Sequence, residues 1–573
     1  SLYLMSVWTM RSQRLWMTIL GVFFACVLAS GTLPSQAQTP PPKPFAMPFG
    51  AMPGPTTWLL SQQYGNTIGA FNYGRYWYAG GRNLHFGLDF WAPCNTPVYA
   101  IGDGEVDQVD NFSFGLEPHN LTIFHRTEGL TSVYGHLNSR SPLMKGQPVK
   151  RGDLIGYTGD PDLTCVSRPH LHLEIRSANY QIAYNPVNYI AADWVALSAI
   201  GYQGFGGFTQ NLLDPRRWQT PFDQPDVDFN ETPLNEYRYP YPLPIRDAPP
   251  PLTLPAGNTA PLGTGFGTFR QLTGAGCCAH ASWSLDSRAV QFYDGEEGRL
   301  ANLIALHVEG ELQPEAVTDG QPRVFSPDGN WEVNTAGGRT TLVRRANNEQ
   351  IPIATGGALP RFSPQGKRML WHRHPADDIP GGIAPLTEIW ISSADGSGRD
   401  LIRTQNGGSV YWLDEDRVLI VEPIGRTNQR KLMIYTIPSR RTDDLVTVRD
   451  LRGLSVAPGG AIILFYLPFQ DDPNASGVYG LLTQAGATPV KLPFFGPYRW
   501  RDSATILFTP YLPGEWYGSL VMYSVTTGEM RPVTDPAGKK IKILNDQWAV
   551  SPDGRFVVYW NAEDIALWLV TLP

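Results

Sequence analysis

The segment 168–175, with the sequence RPHLHLEI, alternates polar and apolar residues with period two. Side chains of a β-strand point alternately to opposite faces, so the pattern predicts a short strand with one apolar and one polar face. The polar face carries two imidazoles and a carboxylate, from His170, His172 and Glu174. Burying such groups is costly unless they are paired, and a metal ion would pair with them.

A second polar cluster lies upstream, in the segment HFGLD. His85 and Asp89 are four residues apart, and residues with that spacing in an extended segment point to the same side. His85, Asp89 and His172 are ligands of the types that zinc accepts. Three protein ligands leave a fourth position for water, which is typical of a catalytic zinc, whereas a structural zinc is enclosed by four ligands.

A third histidine, His136, lies between these clusters in the segment YGHL, at an expected strand end. Glycine-rich connecting segments occur at 100–106 and 149–156. The motifs H-x-x-x-D, Y-G-H-L and P-H-L-H-L-E, in this order and with these glycines, resemble the lysostaphin-type (LytM-like) zinc metalloendopeptidases. The resemblance covers roughly residues 60–190. It implies a β-sheet groove of the duplicated hybrid motif type, with zinc at its floor.

The resemblance also implies a role for each polar residue of the three motifs. His85, Asp89 and His172 would hold Zn2+, and the metal would lower the pKa of a bound water and polarise the scissile carbonyl. His136 and His170 would be the catalytic pair that orients or deprotonates the water and stabilises the oxyanion.

Glu174 shares the strand face with His172, so it is a candidate partner that orients an imidazole without binding the metal. The alternative is an ordinary surface carboxylate. One departure from the family pattern is Arg168, because the residue before Pro169 is usually glycine in these enzymes. The family cleaves stem or cross-link peptides of bacterial cell-wall peptidoglycan, and this departure means that the substrate preference cannot be carried over.

Two cysteines flank the expected metal site. Cys94 lies five residues after the H-x-x-x-D segment, and Cys165 lies five residues before His170. A Cys94–Cys165 disulfide would therefore join the two ligand segments, and two free buried thiols are the alternative. Cys277 and Cys278 are adjacent, so they would either pair with each other in a strained ring or stay reduced.

Residues 1–37 have the pattern of a signal peptide. Arg11 and Arg14 precede the apolar run 15–29, and the segment SQA at 35–37 fits a cleavage site. An uncleaved membrane anchor is the alternative, since the run is near the lower length limit for a spanning helix. Cleavage would give an exported protein that is periplasmic, cell-wall associated or extracellular.

Composition shifts predict the remaining boundaries. Residues 38–56 are proline-rich and should form an extended spacer, before a metallopeptidase domain at 57–190. Residues 191–264 contain glycine-rich and proline-rich stretches and are interpreted as a linker.

From residue 265 to residue 573 the chain repeats one pattern: an aromatic or β-branched residue, a turn of the S-P-D-G kind, and an apolar strand. The turns begin at residues 284, 326, 363, 413, 457, 501 and 551. Their spacing of about 37–50 residues is that of one four-stranded propeller blade. The repeats resemble the TolB-like, WD-type β-propellers.

Seven turns predict seven blades, and six blades are the alternative if a degenerate repeat is a loop. The last turn is followed by only two strands, at 555–560 and 565–572. Residues 268–272 can supply the missing outer strand, which would close the ring and remove exposed sheet edges.

The composition agrees with an all-β protein of several domains. Of the 573 residues, 42% are hydrophobic and 17% are charged, and 58 glycines and 51 prolines suit short strands joined by turns. The formal net charge of -7 provides no basic surface of the kind that binds nucleic acid.

These patterns favour an exported zinc metalloendopeptidase that hydrolyses peptide bonds in peptidoglycan, with a propeller for binding or localisation. A non-catalytic envelope scaffold that binds and regulates other cell-wall hydrolases is the alternative. Loss of a zinc ligand usually marks such scaffolds, and none is lost here. An envelope protein or a glycan is the expected kind of ligand for the propeller.

Overall fold

A computed structural model of the chain describes residues 42–67, 69–70, 77–201, 220–231, 265–276, 281–294, 302–309, 314–316, 323–336, 339–355, 359–373, 386–515 and 517–573. The predicted signal peptide, Cys277 and Cys278 lie outside these ranges. A search of the described ranges for a helix that is long and apolar enough to span a membrane finds none.

Eleven strands occupy the first part of the described chain. Their bounds are β1 (Leu59–Gln62), β2 (Leu88–Trp91), β3 (Pro97–Tyr99), β4 (Gly104–Val109), β5 (His119–His125), β6 (Leu130–Leu137), β7 (Pro148–Val149), β8 (Leu154–Tyr157), β9 (His170–Ser177), β10 (Ile182–Tyr184) and β11 (Val227–Asp228). Nine of them form one sheet, in which seven follow the order β1-β2-β9-β6-β5-β4-β7 and β10 pairs with β9 and β11. Strands β3 and β8 pair separately. This places β9 between two long neighbours.

The predicted strand around residue 172 is confirmed as β9. Leu171, Leu173 and Ile175 are fully buried and pack into the apolar core on one side of the sheet. The polar residues therefore share the opposite face. Antiparallel pairing sets Asp89 of β2 directly across from His172, and it sets Gly135 of β6 across from the same histidine. Three strands thus bring the predicted motifs to one place.

An α-helix and several short 3-10 turns lie between strands in the described ranges. The helix is α1 (Trp194–Gly201), and the turns are Ala79–Gly81, Phe112–Phe114, Pro186–Asn188 and Pro473–Ala475. Both α1 and β11 lie within residues 191–264, which the sequence analysis interprets as a linker. Part of that stretch is therefore folded, and β11 extends the nine-stranded sheet through its pairing with β10. The domain boundaries themselves stay a prediction.

The second part of the chain supplies twenty-eight strands. In chain order, the first thirteen are β12 (Thr268–Gln271), β13 (Ser282–Trp283), β14 (Ala289–Asp294), β15 (Asn302–His307), β16 (Pro314–Ala316), β17 (Arg323–Phe325), β18 (Trp331–Ala336), β19 (Arg339–Arg344), β20 (Glu349–Ile353), β21 (Arg361–Phe362), β22 (Arg368–Arg373), β23 (Leu386–Ser393) and β24 (Asp400–Asn406). The others are β25 (Ser409–Trp412), β26 (Arg417–Pro423), β27 (Gln429–Thr436), β28 (Arg441–Arg449), β29 (Arg452–Val456), β30 (Ile462–Leu467), β31 (Gly477–Leu482), β32 (Val490–Lys491), β33 (Tyr498–Trp500), β34 (Thr505–Phe508), β35 (Val521–Ser524), β36 (Met530–Pro532), β37 (Ile543–Val550), β38 (Phe556–Asn561) and β39 (Ala566–Thr571).

These strands form seven four-stranded antiparallel sheets, so the prediction of seven blades is confirmed and the alternative of six is wrong. Six blades follow chain order, whereas the seventh has the order β12-β39-β38-β37. The predicted closing strand is also confirmed, because Thr268 to Gln271 pair with Thr571 to Trp568. The first and last strands of the propeller therefore share one blade, and this blade has no missing strand.

Each predicted turn joins the first and second strands of a blade, and serine side chains organise the best-formed ones. Ser326 Oγ accepts a hydrogen bond from the Trp331 amide at 2.9 Å and donates one to Asp328 at 2.5 Å. The same two bonds recur at Ser284 and at Ser551. Side chains that bond their own turn in this way fix a tight reversal between strands.

Helix α1 packs between the nine-stranded sheet and the propeller, within the unit formed by residues Lys43–Pro573. Its Val195 belongs to an apolar cluster with Leu544 of the propeller. Its Ile200 and Leu59 of β1 belong to a second cluster that is otherwise made of propeller residues. At Gly201 the helix approaches β1 so closely that a Cβ atom would lie 1.7 Å from the Leu60 carbonyl oxygen. The two regions are therefore joined by packing as well as by the chain.

Candidate metal centre

The three predicted metal ligands converge where β2 and β9 pair. The Nε2 atom of His85 lies 3.3 Å from the Nδ1 atom of His172 and 3.3 Å from the Oδ1 atom of Asp89. The His172 Nδ1 and Asp89 Oδ1 atoms are 2.7 Å apart. Among the described residues, this is the group of histidine, cysteine and acidic side chains that could hold a metal ion.

The donor atoms suit a small divalent cation. Atoms bound about 2.0–2.2 Å from a tetrahedral zinc lie roughly 3.4 Å from one another, close to two of the three separations found here. The third separation, between Asp89 and His172, is that of a direct hydrogen bond. Two imidazole nitrogens and one carboxylate oxygen also match the ligand chemistry of such an ion, so the site fits a metal.

Hydrogen bonds fix which nitrogen each predicted ligand histidine presents to the site. His85 Nδ1 lies 2.5 Å from the Gln63 carbonyl oxygen, and a carbonyl only accepts, so Nδ1 carries the proton and Nε2 is free to bind. His172 has the opposite arrangement, because its Nε2 lies 3.2 Å from a Glu174 carboxylate oxygen. Its Nδ1 therefore faces the metal position.

The predicted catalytic histidines lie beside the ligands. The rings of His136 and His170 are 4.7 Å apart, and the His170 Nε2 atom lies 3.8 Å from Asp89 Oδ1. Each donates its Nδ1 proton to a backbone carbonyl, of Glu117 at 2.5 Å and of Arg168 at 2.8 Å. Both Nε2 atoms are thus left as proton acceptors. His136 is the second-to-last residue of β6, and its φ of 57° is a left-handed conformation that is uncommon for a residue other than glycine.

The electrostatics separate the histidines into two kinds. Burial works against a charged His172, but the Asp89 and Glu174 carboxylates raise its pKa to about 9. Burial lowers the pKa of His136 well below its ordinary 6.5, and His170 and His172 reinforce the effect. Burial also lowers the pKa of His170, against the pull of Asp89. Its two carboxylate partners therefore favour the charged form of His172, whereas His136 and His170 are neutral at pH 7.

Asp89 is ionised although it is largely buried. Burial alone would raise the pKa of Asp89, but the charges of His85 and His170 and hydrogen bonds from His172 and His85 hold it well below its ordinary value. An ionised carboxylate beside two imidazole nitrogens provides the negative charge that a metal cation requires.

Glu174 is fully buried, so the alternative of a surface carboxylate is wrong. It is hydrogen-bonded to His172 on one side and ion-paired with Arg176 on the other. The sequence analysis did not single out Arg176. The signal was present, because the period-two alternation that places His170, His172 and Glu174 on one face continues to Arg176.

Two further residues of the site were missed. Gln63 contributes only its backbone carbonyl, which leaves no side-chain signal in a sequence. Gly87 lies between His85 and Asp89, and a Cβ atom there would lie 2.5 Å from His172 Nε2. The space that His172 occupies therefore requires glycine at this position. The glycine at the centre of HFGLD was the available signal.

The Cys94–Cys165 disulfide is present, which confirms the predicted pairing and excludes two free thiols. It joins residues that are 71 positions apart, with a Cα–Cα distance of 5.6 Å. Asp160 holds the same loop by accepting hydrogen bonds from Ser167 at 2.7 Å and from Thr164 at 2.9 Å. The segment before His170 is thus tied down covalently and by hydrogen bonds.

Comparisons with known proteins agree with this geometry. Residues 83–186 match the model of Peptidase family M23. The peptidoglycan DD-endopeptidase ShyA of Vibrio cholerae is 37% identical over 91 residues, which is 16% of this chain and 20% of that protein. Across three curated relatives, the match spans only 14–38% of the relative's length.

Two solved structures resemble the two parts of the chain. The catalytic domain of the prophage-encoded M23 protein EnpA from Enterococcus faecalis, solved as a point mutant, is 32% identical, with 25% of this chain and 97% of that chain covered and a TM-score of 0.20. A putative TolB from Agrobacterium tumefaciens is 13% identical, with 46% and 94% covered and a TM-score of 0.28. The family match and the sheet topology show that the chain carries a Peptidase family M23 domain at residues 83–186 and a seven-bladed propeller.

Proposed function

We propose that this M23 domain is an exported zinc metalloendopeptidase that hydrolyses peptide bonds in bacterial peptidoglycan. His85, Asp89 and His172 are its zinc ligands, and His136 and His170 are its catalytic residues. The observation that carries the proposal is the convergence of three ligand atoms within 3.3 Å of one another, beside two histidines with free Nε2 atoms.

Zinc held by His85, Asp89 and His172 would supply Lewis acid chemistry, since bound zinc lowers the pKa of a water to about 7 and polarises a carbonyl. The chain supplies the rest. His136 and His170 are neutral at pH 7, so either Nε2 atom can accept a proton from the attacking water and return it to the leaving amine. Their backbone hydrogen bonds hold both rings in the required tautomer throughout.

The substrate class rests on the relatives. Peptidoglycan endopeptidases occur among them, so stem or cross-link peptides of the bacterial cell wall are the proposed substrates. The bond that is cut depends on the groove rim, where this chain differs from the family pattern. Arg168 pairs with Asp162 at 3.3 Å, and its guanidinium lies 5.3 Å from the ring of Trp77. This rim adds charge and an aromatic ring beside His170.

The propeller is proposed to bind a wall component or an envelope partner and to hold the peptidase there. Its contacts with the M23 domain support this role. The Arg452 guanidinium lies 3.4 Å from the ring of Trp91, whose backbone pairs with His170. The Asn428 amide donates to the Val166 carbonyl at 2.5 Å. A rigid propeller that contacts the M23 domain beside His170 can set the position of a bound wall strand.

Digestion of purified peptidoglycan sacculi by the full chain, followed by mass analysis of the products, tests the enzyme. We expect cleaved cross-links or stem peptides, no cleavage with a chelator, and recovery on adding Zn2+. The His85→Ala chain is the matched control and should neither bind zinc nor cleave. Cleavage that survives both the chelator and the control would contradict a zinc peptidase.

The propeller's role has its own test. Because His85→Ala removes the metal and leaves the propeller untouched, that chain should still sediment with intact sacculi or bind its envelope partner. If sedimentation is lost together with the metal, wall binding belongs to the groove and the proposed role of the propeller is wrong.

A further inference from the structure

A short segment outside the M23-matched residues, 220–231, lies against the peptidase sheet near the metal centre. Its strand β11 pairs with β10, and β10 in turn pairs with β9 beside Arg176. The Asn185 side chain donates to the Pro221 carbonyl at 2.7 Å, and the Asn188 side chain donates to the Phe222 carbonyl at 3.0 Å. The segment is therefore anchored to the sheet at several points.

Phe229 of this segment packs on Arg176. The Arg176 guanidinium lies 4.3 Å from the centroid of the Phe229 ring, closer than to Phe114 at 4.9 Å or Phe86 at 5.7 Å. Only 5% of Arg176 is exposed, so this cation is held by three aromatic faces and one carboxylate. Attraction between a guanidinium and an aromatic ring is strongest where water is excluded, as it is here.

Arg176 leads directly to a metal ligand. Its guanidinium is ion-paired with the fully buried Glu174, and Glu174 lies 3.2 Å from His172 Nε2. A carboxylate bonded to the outer nitrogen of a ligand histidine fixes the ring's orientation and tautomer. Phe229 therefore contacts Arg176, Arg176 pairs with Glu174, and Glu174 orients the His172 ring whose Nδ1 atom faces the metal position.

The same segment also reaches the other ligand histidine. Gln224 accepts a hydrogen bond from the Asn66 amide at 2.9 Å, and it packs so tightly on Gly65 that a Cβ atom there would lie 2.6 Å from its Oε1. Gly65 exchanges two backbone hydrogen bonds with His85, at 2.5 and 3.0 Å. The nearby Gln63 carbonyl accepts from the His85 ring. Gln224 therefore fixes the loop that orients His85.

We propose that residues 220–231 are a brace for the metal centre, with Phe229 positioning His172 through Arg176 and Glu174, and Gln224 positioning His85 through the loop at 63–66. Both are positioning residues, because neither touches the metal or the substrate. This inference rests on the proposed function, since it assigns the brace to the ligands of that same site.

The test measures zinc affinity in the full chain, by competition for Zn2+ against a chromophoric chelator. Loss of an outer hydrogen-bonding partner of a metal ligand typically costs about 10–100-fold in metal affinity. We expect Phe229→Ala and Gln224→Ala each to raise the Kd for Zn2+ by about tenfold, and Phe229→Tyr, which keeps the ring, to restore it.

Phe222→Ala is the matched control, because Phe222 lies in the same segment but is 37% exposed and takes no part in the Arg176 cage. The Lys43 ammonium lies 5.6 Å from its ring, and that contact involves neither ligand histidine. We expect this variant to bind zinc like the wild type. An equal loss in Phe222→Ala would mean general loosening and would overturn the brace.

Every variant is measured at a temperature where circular dichroism shows it folded, and Phe229→Leu replaces Phe229→Ala if the latter does not fold. A wild-type Kd in Phe229→Ala or in Gln224→Ala overturns the claim that one segment braces both histidines. Failure of the proposed function looks different, because the wild type would then bind no zinc or His85→Ala would bind as tightly as the wild type.

Discussion

Strands β9 and β38 are both buried, but they bury different kinds of side chain. The comparison distinguishes residues that form the candidate site from residues that only stabilise the fold. All six residues of β38, FVVYWN, are buried, and most are apolar side chains that need only close packing. The six central residues of β9 are buried as well, but one face carries His172, Glu174 and Arg176. Each of these groups has a specific partner. Burial of ionisable groups with assigned partners therefore marks the site.

The same contrast applies to the two ways in which the chain uses polar side chains. In the propeller, Ser326 and Asp328 bond to their own turn and fix a reversal of the chain. In the peptidase sheet, the polar contacts are non-local, since His85, Asp89 and His172 come from two segments far apart in the chain. Local hydrogen bonds of polar side chains therefore fix turns of the propeller, whereas contacts between distant segments form the candidate metal centre.

Removing a proposed catalytic histidine should have the largest effect on activity. His136→Ala and His170→Ala should each lower kcat by about 10²–10⁴-fold while zinc stays bound, because general acid–base assistance is lost and the ligands are not. Kinetics on a soluble cross-link peptide and a zinc assay measure both. His372→Ala, at an exposed histidine of β22, is the control and should change neither. Wild-type turnover in either variant would remove that residue from the mechanism.

A core substitution in the propeller should change stability alone. Trp560 of β38 is 1% exposed, so Trp560→Ala should lower the free energy of unfolding by about 3–5 kcal/mol through lost packing. Denaturant titration measures this loss, and the Kd for Zn2+ should not move. Leu512→Ala, at a residue that is 50% exposed, should be nearly neutral. A large change in zinc affinity in Trp560→Ala would show that packing in the propeller core also determines metal binding, which contradicts the comparison.

The disulfide beside β9 should contribute a comparable amount to the free energy of unfolding. A bridge between residues 71 positions apart restricts the unfolded chain, so Cys94→Ser is expected to cost about 4 kcal/mol. The wild type under reducing conditions should show the same loss, and reductant should not affect the variant. Equal stability of the reduced and oxidised wild type would contradict a stabilising bridge.

The smallest effect concerns pH. Burial opposes ionisation of Asp160, but hydrogen bonds from Ser167, Asp162 and Thr164 lower its pKa below the ordinary 3.8. The carboxylate therefore adds stability above about pH 4, and this contribution disappears as pH falls through the folded-state pKa. The Tm difference between wild type and Asp160→Asn should be constant from about pH 5 to 8 and shrink below about pH 4. A Tm difference that grows on acidification would contradict the predicted direction of the pKa shift of Asp160.

Much of the molecule follows from the sequence because its signals are local. Period-two alternation identifies β9 and the face that carries His170 and His172. The recurring turns identify seven blades, and the residue count after the last turn identifies the closing strand at Thr268–Gln271. Zinc-type residues at strand spacing identify the candidate ligand set, since side-chain chemistry is written directly in the sequence.

The tertiary structure decides which groups hold those side chains in place. The carbonyls of Gln63 and Glu117 select histidine tautomers, yet every residue has a carbonyl, so no sequence pattern marks these two. Phe229 meets Arg176 only because β11 pairs with β10, although the two residues are far apart in the chain. Side-chain identity and period are local properties of a chain, whereas the partner that orients a group depends on long-range pairing, and this is where the sequence alone stops.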